Sequence, residues 1–267
     1  MLPDGDRRRL GVLGWPVAHS RSPAMQNAAL MSVGLERWRY QLLPVVPKLL
    51  AEIVSALPAA GFRGVNATIP HKHDALALAT EATTRARAIG AANTLVFGGG
   101  SIEADNTDAP ALIASLPFEA ADTTVLVLGA GGTARAAVWA LLDAGAAEVR
   151  VWNRTAERAR ALCQDLGGTP VERPRAADVL INCTSIGLTE PDRTFAQLPV
   201  EAGDLGDYRC VVDFVYARSE TPLLREARAQ GAAVVDGLDL LVGQGALSFE
   251  RFTGRQAPLE VMRRAVR

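Results

Sequence analysis

Residues 125–137, Val-Leu-Val-Leu-Gly-Ala-Gly-Gly-Thr-Ala-Arg-Ala-Ala, constrain the fold more than any other stretch. The apolar run 125–128 has the pattern of a strand buried in a parallel sheet. Gly129 allows a sharp turn, and Gly131 keeps side chains off the backbone so that a pyrophosphate can approach it. Ala134 is small enough for a helix to pack tightly on the strand. A helix opening at Gly132 aims its free N–H groups and positive dipole end at that phosphate. The G-x-G-x-x-A pattern is short, and a purely structural turn would also use it. Its setting decides: a strand precedes it, a helix follows, and a second strand comes at 149–152. That setting predicts a dinucleotide-binding unit.

Strand-like and helix-like segments alternate on both sides of this run. Before it, strands are expected at 10–13, 38–43 and 64–69, and helices at 48–60, 74–79 and 83–89. Ser22-Pro23 reads as a helix start with Ser22 as the cap and an end near Gly34. A hairpin is expected from 93–97 and 102–104 across Gly98, Gly99 and Gly100. A helix at 108–116 leads into the central region. From 125 onward strands at 125–128, 149–152, 179–182, 211–214 and 233–235 alternate with helices at 133–143, 156–166 and 222–230, the order of a doubly wound parallel sheet. The last helix, 240–253, is expected to return to the first domain. The expected architecture is therefore a two-domain α/β chain. An N-terminal α/β substrate domain, 1–108, is completed by C-terminal helices within 238–267, and a Rossmann-like doubly wound domain, 109–237, is inserted. A cleft between domains is the expected place for chemistry.

Charge and cysteine usage remove several function classes. Lys and Arg total 28 against 29 Asp and Glu, a net charge of -1, so no nucleic-acid footprint is expected. Arg7, Arg8 and Arg9 read as a solvated tail. Cys163, Cys183 and Cys210 are far apart and odd in number, which fits neither a disulfide framework nor a zinc site and suits a reducing cytoplasm. No metal is expected. The first ten residues lack an apolar signal core and no stretch reaches transmembrane length, so no membrane partner is expected. The chain is expected to act on a small molecule, as a monomer or homodimer.

Polar residues collect at the strand ends of the first domain. In His19-Ser20-Arg21-Ser22 two hydroxyls stand two residues apart and could both donate to one carboxylate; alternatively Ser22 only caps a helix. In 66–72, Asn-Ala-Thr-Ile-Pro-His-Lys, Asn66 and Thr68 share a strand face. Lys72 follows a proline corner, from which its amine either reaches back over the strand end or is solvated. Asn93-Thr94 opens another strand with an amide that can hold a hydroxyl. Asp105-Asn106-Thr107-Asp108 lies between strand and helix, where capping is the plain alternative.

These runs resemble the shikimate dehydrogenase family, whose members interconvert 3-dehydroshikimate and shikimate with a nicotinamide cofactor. The matching runs are His-Ser-Arg-Ser-Pro at 19–23, the 66–72 run, Gly-Ala-Ala-Asn-Thr at 90–94, Asp-Asn-Thr-Asp at 105–108, the Gly129 loop, Asn-Arg-Thr at 153–155 and Asp-Gly-Leu-Asp-Leu-Leu-Val-Gly-Gln at 236–244. They run in this order over nearly the whole chain. The resemblance implies that Lys72 and Asp108 are the catalytic pair and that Ser20, Ser22 and Tyr216 hold the substrate carboxylate. It implies that Thr68, Asn93, Asp108 and Gln244 bind ring hydroxyls. It assigns the cofactor to Gly129, Ala130, Gly131, Gly132, Thr133 and Ala134, to Thr184 and Ser185 in the loop after another strand, and to Gly237. Cys183, in the same loop, has no histidine near it in sequence and reads as a small buried residue.

The second strand of the nucleotide unit selects the cofactor. Enzymes that use NAD place Asp or Glu at its end, on the ribose 2′-hydroxyl. Here Asn153 stands there, Arg154 follows, and Arg158 lies one turn on. Guanidinium groups suit a 2′-phosphate, so NADP(H) is expected. Thr155 would cap the next helix and border the same phosphate. Ala67, Ala109, Leu188, Asp239 and Leu240 depart from commoner family residues without removing a polar contact, which bears on substrate range. The alternatives are a relative acting on quinate or another cyclic hydroxy acid, and a non-catalytic NADP-binding module.

Overall fold

The computed structural model describes residues 8–217 and 219–267. Two compact units are present: residues up to Thr107 together with Leu241–Arg267, and Asp108–Leu240.

The first unit contains β1 (Arg9–Gly14), α1 (Ser22–Ser32), β2 (Arg39–Pro44), α2 (Leu50–Ala56), β3 (Phe62–Ala67), α3 (Lys72–Ala77), β4 (Glu81–Ala82), α4 (Thr84–Ile89), β5 (Thr94–Gly98) and β6 (Ser101–Asp105). Its sheet has the order β2-β1-β3-β5-β6-β4. β1 pairs parallel with β2 and β3, β5 pairs antiparallel with β3 and β6, and β4 pairs parallel with β6. The β5–β6 turn is Gly99-Gly100, with φ of +60° and +82° at its two residues, a conformation that glycine adopts without a Cβ penalty. Leu13, Val65, Ala67, Leu95 and Phe97 from the strands and Leu50, Val54 and Leu57 from the α2 region form one apolar core.

The second unit contains α5 (Asp108–Ser115), β7 (Thr124–Leu128), α6 (Gly132–Asp143), β8 (Glu148–Trp152), α7 (Ala156–Leu166), β9 (Thr169–Pro170), β10 (Val179–Asn182), α8 (Thr194–Gln197), β11 (Cys210–Asp213), α9 (Pro222–Ala229) and β12 (Ala233–Val235). Its sheet is wholly parallel, ordered β12-β11-β10-β7-β8-β9, the doubly wound order. Strand alternation divides its core in two. Val125, Val127, Val149, Val151, Val179 and Ile181 face Ala134, Val138, Leu141, Leu162 and their neighbours on α6 and α7. Leu126, Leu128, Leu180 and Val211 face Leu223, Leu224 and Ala227 of α9 on the other side. Both faces are covered at the central strands, which is why residues 125–128 and 179–181 are apolar in succession, whereas β8 alternates Val149 and Val151 with Glu148 and Arg150. Each such apolar side chain contributes roughly 1.5–3 kcal/mol of burial.

The chain closes with α10 (Gly237–Thr253) and α11 (Leu259–Val266). α10 starts three residues before the expected 240, because the Asp236 carboxylate accepts the Asp239 N–H at 2.7 Å and so caps an earlier turn. Phe252 lies on Gly64 of β3, where a Cβ would come within 2.5 Å of its ring. The last turn of α11 is tied to the start of α1 by a 2.5 Å bond from the Arg21 guanidinium to the Val266 carbonyl. Three further expectations are corrected. Arg9 belongs to β1 rather than to a tail, since its strand pairs on both sides; Arg7 lies outside the described residues. The helix expected over 48–60 is interrupted, with a short 3-10 turn before α2 and turns after it that end at Gly61, φ +82°. Cys183 is only half-buried, because it stands past the end of β10.

Candidate active site

Strand directions bring the polar strand ends of the first unit to one edge of its sheet. β1, β3 and β6 all finish there, and β5 begins there. Ser20 and Ser22 follow β1, Thr68 and Lys72 follow β3, Asn93 precedes β5, and Thr107 follows β6.

Ser20 and Ser22 are linked, with the Ser22 N–H donating to Ser20 Oγ at 3.3 Å. Ser22 is not the cap of α1. Arg21 holds that position without a side-chain capping bond, and Ser22 is a buried residue of the first turn. The Thr68 N–H donates to the Leu13 carbonyl at 2.8 Å, and its carbonyl accepts the His71 N–H at 2.8 Å. The Thr68 methyl occupies space that a Cβ on Gly14 would need, so the two strand ends approach closely because residue 14 is glycine. The corner is pinned again by a 2.8 Å bond between His71 Nε2 and the Val45 carbonyl. Lys72 opens α3, and its carbonyl accepts the Ala92 N–H at 2.8 Å, which sets it beside the segment that carries Asn93.

Behind these residues lies a buried polar lattice. Asn93 Oδ1 accepts the Thr107 N–H at 2.8 Å and the Thr94 hydroxyl at 2.9 Å. Asn93 Nδ2 lies 3.4 Å from Gln244 Oε1. Asn66 Nδ2 donates to the Asn93 carbonyl at 3.0 Å and to Ser248 Oγ at 2.9 Å, and its Oδ1 accepts the Tyr40 hydroxyl at 2.7 Å. Ser248 Oγ also bonds Thr94 and Thr107 at 2.9 and 3.1 Å and donates to the Gln244 carbonyl at 3.0 Å. Ser248 and Tyr40 are absent from the sequence-derived site, and Thr107 enters it only as a member of the polar run 105–108 with no role of its own. Ser248 looks like any polar position on α10, and its partners outside that helix come from three separate segments. In the Asp105–Asp108 run, Asp105 is no helix cap but a buried ion-pair centre: its carboxylate accepts from Arg85 at 2.8 and 2.9 Å and from the Thr83 hydroxyl at 2.8 Å.

Asp108 and Tyr216 belong to the second unit, where Asp108 opens α5 and Tyr216 is half-buried after β11. In that unit the turn after β7 meets the loop after β10 where the strand order reverses, the crevice in which doubly wound sheets bind ligands. Gly129 has φ +114°, and a Cβ on it would lie 3.2 Å from Cys183 backbone atoms and 3.3 Å from the Thr184 methyl. Its N–H donates to the Trp152 carbonyl at 2.7 Å. A Cβ on Gly131 would meet nothing within 4 Å, and no side chain caps α6 there. Open space beside the N–H groups of a helix start that no side chain caps fits a pyrophosphate. Asn153 Nδ2 donates to the Thr155 carbonyl at 2.9 Å and shapes the turn after β8. Thr155 occupies the cap position of α7 but makes no side-chain capping bond. Arg154 and Arg158 are exposed. Neighbouring arginines are paired: Arg150 with Glu148, Arg135 with Asp165, Arg160 with Glu157 and Glu172. Among the described residues no carboxylate pairs with Arg154 or Arg158, which suits them to a phosphate. The Thr184 hydroxyl donates to Asn182 Oδ1 at 2.7 Å, so its proton is used within the loop, while Ser185 is exposed. Gly237 has no room for a Cβ, which would meet the Val215 carbonyl oxygen at 2.5 Å.

Comparison with known proteins covers the length of the chain. Family models described as "Shikimate dehydrogenase substrate binding domain", "Shikimate / quinate 5-dehydrogenase" and "Shikimate 5'-dehydrogenase C-terminal domain" match residues 12–95, 113–186 and 237–267. The shikimate dehydrogenase (NADP(+)) of Paracoccus denitrificans is 43% identical over 271 residues, covering 96% of this chain and 94% of that one. The structure of shikimate 5-dehydrogenase from Thermus thermophilus in complex with NADP(H) and shikimate has a TM-score of 0.84 at 40% identity, covering 97% of this chain and 98% of that one. A 5-ketofructose reductase of Gluconobacter sp. strain CHM43, in its ligand-free form, has a TM-score of 0.83 at 33% identity, with 97% of each chain covered.

Proposed function

The chain belongs to the shikimate dehydrogenase family, and on that premise we propose how its residues carry out the NADP-dependent interconversion of 3-dehydroshikimate and shikimate. NADP(H), when bound, supplies or accepts the hydride. Hydride addition to a ketone builds negative charge on its oxygen. The Lys72 ammonium stabilises that charge and donates the proton that makes the alcohol, and in the opposite direction its amine takes the proton back. Asp108 orients Lys72 and accepts from a ring hydroxyl. Ser20, Ser22 and Tyr216 donate to the ring carboxylate, and Thr68, Asn93 and Gln244 bond the remaining ring hydroxyls. Gly129, Ala130, Gly131, Gly132, Thr133 and Ala134 hold the pyrophosphate, Asn153, Arg154, Thr155 and Arg158 the 2′-phosphate, and Thr184, Ser185 and Gly237 border the nucleotide.

The observation that carries this reading is the buried lattice through Asn66, Thr94, Thr107 and Ser248, which fixes the amide of Asn93 beside that of Gln244. Such a lattice orients polar groups in advance, as recognition of a polyhydroxylated ring requires. Among the described residues no helix is long and apolar enough to cross a membrane. With three free cysteines, we place the enzyme in the cytoplasm, as a monomer or homodimer, which light scattering distinguishes. Oxidation of NADPH with 3-dehydroshikimate and with 3-dehydroquinate tests the activity. Rapid oxidation with the first alone is expected. Equal rates with both would replace it by a broader quinate and shikimate activity, and binding of NADPH without turnover would leave a non-catalytic module.

A further inference from the structure

We propose that Asp213 is a positioning residue whose carboxylate ties the nucleotide-side loop 183–186 and the segment carrying Tyr216 to one support. The proposal rests on the reading of Thr184, Ser185 and Tyr216 given above. Asp213 is the last residue of β11, beside Asn182 in register, and is 1% exposed. Three donors meet it. Asn182 Nδ2 and the Val215 N–H reach Oδ1 at 2.9 and 3.0 Å, and the Thr221 hydroxyl reaches Oδ2 at 2.7 Å.

A carboxylate only accepts, so it fixes the direction of every bond beyond it. Asn182 must turn its NH₂ toward Asp213 and its oxygen toward the loop. That oxygen accepts the Thr184 N–H at 3.1 Å and the Thr184 hydroxyl at 2.7 Å. With its proton committed, Thr184 Oγ1 accepts the Ile186 N–H at 3.1 Å. The loop so shaped is the one that lies against Gly129. On its other side Asp213 holds Val215, the residue before Tyr216, and the Thr221 hydroxyl that caps α9. A tether for α9 alone would need only the Thr221 bond; the other oxygen is spent on two ligand-side segments. An asparagine at 213 could keep its oxygen on Asn182 and Val215 and turn its NH₂ to the Thr221 hydroxyl, which is able to accept, so only a side chain without polar atoms removes both arms at once.

The test uses the full chain with Asp213→Ala and Asn182→Ala. Three quantities are read: the NADPH dissociation constant by fluorescence titration without substrate, KM and kcat for 3-dehydroshikimate, and amide hydrogen exchange at Thr184, Ile186 and Val215 in the ligand-free protein. Asp213→Ala is expected to raise both the NADPH dissociation constant and KM by about tenfold or more, to change kcat by less than about threefold, and to speed exchange at all three amides. Asn182→Ala cuts only one arm. It is expected to raise the NADPH constant and speed Thr184 and Ile186, while leaving KM and Val215 near their wild-type values. The proposal is overturned if Asp213→Ala alters only one of the two ligand constants or neither. It is equally overturned if Asn182→Ala moves both arms alike, an outcome that decides the matter even where Asp213→Ala does not fold. A wild-type chain inactive on 3-dehydroshikimate would remove the functional reading instead, and the exchange measurements, which need no substrate, would still judge Asp213.

Discussion

Lys72 is fixed through its main chain, by the Ala92 N–H on its carbonyl, so removing its side chain leaves that anchor intact. Lys72→Ala is therefore expected to lower kcat by about a hundredfold or more, with KM for 3-dehydroshikimate within about threefold and the melting temperature unchanged. Steady-state kinetics check this, and near-normal turnover would remove Lys72 from the mechanism. Arg154 and Arg158 allow a second separation. Replacing both by alanine is expected to raise KM for NADPH about tenfold or more, the worth of one charged hydrogen bond, and to leave KM for NADH alone. A parallel rise for both cofactors would show that the arginines do not read the 2′-phosphate. Lys72, Asn93 and Arg154 were legible in the sequence because their chemistry attaches to unusual residue types at strand ends. Ser248 and Asp213 were not. The bond from Asn66 to Ser248 spans 182 residues of chain and that from Asn182 to Asp213 spans 31, and a contact of that kind leaves no local pattern.

Among the elements, glycines mark where backbone must come close, and they divide by what a Cβ would meet. At Gly64 it would lie 2.5 Å from the Phe252 ring and 2.7 Å from the Leu95 carbonyl oxygen, between α10 and two paired strands. Gly64→Ala is expected to destabilise by roughly 1–3 kcal/mol, read as a lower urea midpoint. At Gly131 a Cβ meets nothing within 4 Å. Gly131→Ala should keep the wild-type urea midpoint and weaken NADPH about tenfold or more, since the methyl stands where the pyrophosphate approaches the backbone. A stable, normally binding variant would move the cofactor away from this turn. The long elements were legible from period and punctuation, including the strand and helix around Gly129. The two-residue strands β4 and β9 were not, because two residues carry no period. The short, charged α11 was not resolved as an element of its own within the expected C-terminal helices, since its apolar face shows only through the burial of Met262 and Val266.

For the molecule as a whole, the buried carboxylate of Asp213 leaves a mark on how global stability follows pH. Burial pushes its pKa up to about 6, against the lowering influence of its bonds to Thr221, Val215 and Asn182. In the unfolded chain it titrates near 4. Between these values the folded form keeps the proton that the unfolded form gives up. The stability this group contributes is therefore fully present below about pH 4 and is lost as pH rises through about 6, a change of about 3 kcal/mol over the window. Glu148 acts in the opposite direction: its bond to Arg150 lowers its pKa, so its contribution is lost as pH falls. It is nearly solvent-screened, so its effect is small. Subtracting the urea stability of Asp213→Asn from that of the wild type at each pH cancels Glu148 and every other group common to the two proteins. The difference is expected to move against the wild type by about 3 kcal/mol between pH 4 and pH 7 and to be level on either side. A difference that is flat across the window would mean that the three donors hold the carboxylate at its ordinary pKa despite its burial. One that moves in favour of the wild type as pH rises would mean that those bonds outweigh desolvation.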